Sequence, residues 1–97
     1  MGIFSRKHEG EIPIGKFNDL APDAIELARL WVNSERVNAF VAYKPEWPPE
    51  LFGSLLVETI YTAAGAIAQF TGVSEAEART RIWQGFDEER ERLKDVD

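Results

Sequence analysis

No cysteine occurs in the 97 residues. Disulfides, thiolate catalysis and cysteine-ligated zinc are thereby excluded. Histidine occurs once, at His8, in a polar N-terminal stretch. A Ser-His-Asp triad or a multi-histidine metal centre cannot be built from one such chain. An all-carboxylate metal site needs neither residue, but no EF-hand spacing is present, and neither metal nor cofactor is expected. Bases are also in deficit: 11 Lys and Arg stand against 17 Asp and Glu, for a net charge of −6. The arginines are interleaved with acids, so the positive stripe that releases counterions from a phosphate backbone is missing, and nucleic acid is not an expected partner.

The N-terminal "MGIFSRKHEG" lacks the apolar stretch of roughly 7–15 residues that a secretory signal requires. Ile3 and Phe4 beside Arg6 and Lys7 offer too little apolar surface to anchor a chain on a bilayer. The expected location is the cytoplasm, with residues 1–10 as a disordered tail, 11–93 as a single domain and 94–97 fraying.

What is present reads as an α+β chain. "EIPIGKF" (11–17) alternates Ile12 and Ile14 but is broken by Pro13 and Gly15, which suits a short extended edge segment. Pro22 and Asp23 have the chemistry of a helix start, and Ala24, Leu27, Ala28 and Trp31 share a face, which predicts a first helix over Pro22–Val32. Arg36–Tyr43 is the strongest strand: Val37, Ala39, Val41 and Tyr43 point one way, Asn38, Phe40 and Ala42 the other. Pro45, Pro48 and Pro49 end it. A long helix follows from Pro49 to Thr71, closed by Gly72. Phe52, Leu56, Ile60, Ala63, Ile67 and Phe70 form its apolar seam, and Ser54, Glu58, Tyr61, Thr62, Gly65 and Gln69 its narrow polar stripe. So one-sided an arc, interrupted by Glu58 and Gln69, predicts a central covered helix rather than a membrane span. Ser74 starts the last helix through the capping box "SEAE", with Glu75–Arg79, Glu77–Arg81 and Glu88–Arg92 at the i,i+4 spacing. The predicted architecture is three helices and one main strand in the order α-β-α-α. The strand is expected to pair with the N-terminal extended segment, with a second copy in a homodimer, or with both.

Three features are candidates for chemistry. Glu58 stands on a mostly apolar helix, where a carboxylate can work as an acid or base; no second acid lies at i±3 or i±4, so a structural role is the plainer reading. The aromatics around the Pro-rich loop suggest a small-molecule pocket at Trp31, Trp47, Glu58 and Tyr61, against the simpler reading of corner packing. "RTRIWQGFDEERER" resembles a basic recognition helix only until Asp87, Glu88, Glu89 and Glu91 are counted, and it reads as a solvated face. No catalytic residue is assigned. The expected role is a non-catalytic assembly or regulatory module whose first partner is itself. Its expected dimer interface is Val37, Ala39, Val41 and Tyr43 on the strand, with Ser54, Glu58, Thr62 and Gly65 on the long helix. The alternative is a small-molecule-binding or enzymatic domain using the aromatic pocket.

The order of "AIELARLWV", "VNAFVAY", "EWPPELFGSLLVETI" and "SEAEARTRIWQGFDEE" resembles a family of small alphaproteobacterial proteins classed as a domain of unknown function. The likeness runs from Asp23 to about Arg90. Where that pattern carries a tryptophan-glycine pair after the prolines, this chain has Phe52-Gly53. The resemblance implies a cytoplasmic α+β protein and brings no activity, cofactor or site residue with it.

Overall fold

The computed structural model describes residues 8–13 and 20–96. The expected membrane-touching tip at Ile3 and Phe4, and the Ile14–Phe17 part of the N-terminal extended segment, lie outside those residues. Four elements follow in order: β1 (Ala28–Asn33), β2 (Arg36–Val41), α1 (Pro49–Thr71) and α2 (Glu75–Leu93). The chain divides into two compact units between Tyr43 and Lys44. One is a β-hairpin, the other a helical hairpin.

This β-β-α-α order corrects the expected α-β-α-α pattern. The helix expected over Pro22–Val32 does not form. Pro22 and Asp23 occupy a turn closed by the Ala24 amide donating to the Ala21 carbonyl (3.0 Å), a place where Pro at the second position is as well suited as it is to a helix start. Ala28–Asn33 is a strand. Its residues satisfy two periods at once: Ala24, Leu27, Ala28 and Trp31 at helical spacing, and Ala28, Leu30 and Val32 at alternate positions. Pairing decides between them. β1 runs antiparallel to β2 in a two-stranded sheet, with Ala28 opposite Val41, Leu30 opposite Ala39 and Val32 opposite Val37. The Ala42 amide continues the ladder by donating to the Leu27 carbonyl (2.8 Å). β2 therefore finds a partner in its sequence neighbour. Asn33-Ser34 sits at the reversal, and Ser34 adopts φ 61°.

The helical unit follows the backbone punctuation. The Pro45-Glu46 turn is closed by Trp47 N–H to the Lys44 carbonyl (3.1 Å). Pro48 caps α1 in an extended conformation and Pro49 takes the first helical position, where its missing N–H costs nothing. At the other end Gly72 takes φ 81°, and its amide donates to the Ala68 carbonyl (2.9 Å). The Ser74 hydroxyl accepts from the Glu77 amide (3.1 Å), which caps α2. The three-residue link makes the helices antiparallel neighbours. They meet along small residues: Ala64 on α1 and Ala78 on α2 are the buried core among the described residues. Beside them, the Arg79 guanidinium lies 4.8 Å above the Tyr61 ring, and Gly65 faces the Glu75 carboxylate. α1 is thus not a covered central helix within this chain: α2 takes only the line through Ala64, and the seam beside it leaves Leu56, Ile67 and Phe70 exposed, Phe70 by 84%. With 23 residues and mean hydropathy 1.5, α1 is also long and apolar enough to cross a bilayer by those two criteria.

Candidate interaction site

Alternation along the two strands sorts the hairpin's side chains onto two faces. One carries Arg29, Trp31, Asn33, Arg36, Asn38 and Phe40. The chain's own N-terminal segment attends to this mixed face. His8 meets Trp31 edge-on, with ring centroids 5.1 Å apart, and the His8 Nδ1 accepts from the Gly10 amide (3.0 Å). Arg29 Nη1 donates to Glu11 Oε2 (2.6 Å), while its Nε and Nη2 make a two-pronged contact with Glu26 (2.7 and 3.0 Å). The Arg29 hydrogen bonds, helped by its charge, hold the Glu26 carboxyl below the ordinary glutamate range and raise the guanidinium in turn. The other Glu11 oxygen, Oε1, is buried without a hydrogen-bond partner among the described residues.

The opposite face consists of Ala28, Leu30, Val32, Val37, Ala39 and Val41, with no polar side chain on it. It is open: Leu30 is 75% exposed and Val32 78%. Val37, Ala39 and Val41 of the expected interface all lie on it. Tyr43, of the same parity, falls beyond the end of β2 and is half-buried. Ala28, Leu30 and Val32 were missed, because the helical reading of residues 22–32 put Leu30 on the side of the cylinder away from Ala28 and Val32. The signal that would have found them is their strict alternation, followed by a two-residue reversal.

The helical half of the expected interface sits in the other unit. Ser54, Glu58 and Thr62 are exposed on α1. The Ser54 and Thr62 hydroxyls turn back to the carbonyls of Glu50 (3.4 Å) and Glu58 (3.3 Å), as helix-borne hydroxyls commonly do. Gly65 is half-buried against Glu75 of the same chain.

The residues of the expected pocket are divided between the units. Trp31 belongs to the hairpin, where it holds His8. Trp47, Glu58 and Tyr61 belong to the helical unit. Lys44 Nζ lies 5.3 Å from the Trp47 ring, Tyr61 carries Arg79, and Glu58 is exposed with no hydrogen bond to its carboxylate among the described residues. An open depression of about 180 Å³ lies instead at the free end of the hairpin, between Leu27, Ala28, Phe40, Val41 and Ala42, with Glu26 and Arg29 at its border. Sites that enclose a drug-sized ligand run from roughly 300 Å³ upward, so this depression is small for one. The charged face of α2 is arranged differently from its spacing: Arg92 pairs with Glu89 and Lys94 with Glu91, both one turn back at i,i+3, while Gln84 donates to Glu88. Arg92 holds the Glu89 carboxyl below its ordinary range through that hydrogen bond.

A solved structure from the photosynthetic bacterium Rhodopseudomonas palustrus CGA009, described provisionally as a pyruvate dehydrogenase, is similar in fold with a TM-score of 0.67. It is 28% identical, over 94% of this chain and 92% of its own. No curated protein matches significantly. Residues 16–94 match the family "Domain of unknown function (DUF5076)", and the chain, an α+β protein with one β-hairpin and one helical hairpin, belongs to that family.

Proposed function

We propose that this protein is a non-catalytic assembly module whose first partner is a second copy of itself. One observation carries the reading: the described chain fully buries only Ala64 and Ala78, while large apolar residues on both units stay open. Two-layer packing is the usual minimum for a stable core, and the described apolar side chains of each hairpin remain largely exposed. A homodimer supplies that layer, because the same unsatisfied surface is present on both partners. The reading includes a cytoplasmic location in an alphaproteobacterium, as the resemblance of the helix and strand segments implies. Light scattering after size exclusion tests it. A mass twice 11.0 kDa at micromolar concentration is expected; 11.0 kDa throughout that range removes the reading.

A second reading is a small-molecule-binding or enzymatic domain that uses Trp31, Trp47, Glu58 and Tyr61. What favours it is the description of the Rhodopseudomonas protein as a pyruvate dehydrogenase. A thermal-shift series with pyruvate and a metabolite library separates the two. A reproducible rise in midpoint that Glu58→Ala abolishes speaks for this second reading.

A further inference from the structure

We infer that the partner copy docks on the all-apolar face of the β-hairpin, the two hairpins stacking face to face across a two-fold axis. This rests on the assembly reading above and names its surface. Three observations lead there.

The first is the asymmetry of the hairpin. The chain places its own residues on the mixed face, through His8 on Trp31 and Glu11 on Arg29. On the other face Ala28, Leu30, Val32, Val37, Ala39 and Val41 stand open. A two-stranded hairpin is marginal in water unless a further layer covers its apolar side, so the open side is where a partner is needed.

The second is area. At exposures of 75% for Leu30, 78% for Val32, 69% for Val37 and 55% for Val41, the face presents on the order of 500 Å² of apolar surface. A standard interface takes about 800 Å² from each partner, and in homodimers about 65% of it is apolar, again on the order of 500 Å². Wholly covered, the hairpin face supplies much of that area.

The third is charge. The chain carries −6, which opposes association of two copies wherever charged surfaces meet. This face has no charged side chain, so it brings two copies together with the least repulsion. The stacking is by faces, as in a β-sandwich with sheets about 10 Å apart. It leaves the β1–β2 ladder as it is in the single chain.

The absence of cysteine makes the test direct. Ala39→Cys puts one thiol at the centre of the face, and Asn38→Cys puts one on the opposite face of the same strand. A short bismaleimide should cross-link the Ala39→Cys protein to a dimer and leave Asn38→Cys as a monomer on a denaturing gel. In parallel, Leu30→Lys should convert the scattering mass to that of one chain, while Asn38→Lys, of equal charge, should not. If Leu30→Lys unfolds the hairpin, the cross-linking pair still decides. A wild-type dimer in which Asn38→Cys cross-links as well as Ala39→Cys, or in which neither does, overturns this docking face and leaves the assembly reading standing on another surface. A monomeric wild-type protein overturns both, and assigns the face to a foreign partner or a membrane.

Discussion

Asn33 and Arg36 face each other across the last rung of the hairpin ladder, so Ser34 and Glu35 alone carry the reversal. In two-residue reversals that match the strands' twist, positive φ falls on both linking residues or on the first alone, and in the second case that residue is normally glycine. Here it is Ser34, at φ 61°, a conformation that costs an L-residue roughly 1–2 kcal/mol. Ser34→Gly relieves that strain and loses part of the gain to the unfolded chain's entropy. A net stabilisation of about 0.5–1 kcal/mol is expected, read as slower hydrogen exchange of the ladder amides. Faster exchange would mean that the turn relies on the serine side chain.

Gly65 sits in the middle of α1, where glycine costs about 0.5–1 kcal/mol relative to alanine. An added Cβ would lie 3.6 Å from Glu75 Oε2, an ordinary contact with the end of a flexible side chain. Gly65→Ala should therefore raise the melting temperature by a few degrees with no change in scattering mass. Dissociation of an assembly by this substitution would place another backbone on the stripe, as the neighbouring small residues suggest when read alone.

The Arg79 guanidinium over the Tyr61 ring clasps the two helices about four turns from their open end. Tyr61 is half exposed, so the interaction is expected at the lower end of its range, about 0.5–1 kcal/mol. A double-mutant cycle with Arg79→Gln and Tyr61→Leu should return a coupling of that size; additivity would reduce the clasp to simple covering.

Glu26 gives the hairpin unit a pH dependence of definite sign. Its folded carboxyl ionises below the ordinary glutamate value because Arg29 hydrogen-bonds the charged form. The associated stability is present above about pH 4.3 and fades as the pH falls through the lowered folded value. Comparing wild type with Glu26→Gln should thus show a small stability difference at pH 7 that shrinks as the pH falls below about 4.3, and that salt diminishes, since the pair is at the surface. A difference that neither acid nor salt reduces would trace to packing rather than charge.

The helical unit was legible because its limits are written in residues with few alternatives. Pro48-Pro49 can begin a helix but not continue one. Gly72 takes a left-handed conformation that closes α1, and Ser74 offers its hydroxyl to the Glu77 amide. The hairpin was half legible. Residues 36–41 are rich in strand formers and alternate without competition, which is why Val37, Ala39 and Val41 were already on the candidate surface. Residues 22–33 carry both periods, and Pro22-Asp23 serves a turn as well as a helix start. There the pairing with β2 outweighs local preference, and no window of neighbours within β1 contains that information. The pocket at Trp31, Trp47, Glu58 and Tyr61 rested on aromatic composition, which does not tell which unit each ring belongs to.

Each element here is paired with the one next to it in the chain, through links of two residues between β1 and β2 and three between α1 and α2. Closing such short loops sacrifices little chain entropy, and rates of folding rise as contacts become more local. Helix and hairpin formation belong to the microsecond range, so each hairpin can form transiently long before two molecules meet in dilute solution, and is held once a further layer covers it. On the assembly reading proposed above, the slow, concentration-dependent event is encounter between copies, and the abundance of the protein sets how much of it is joined.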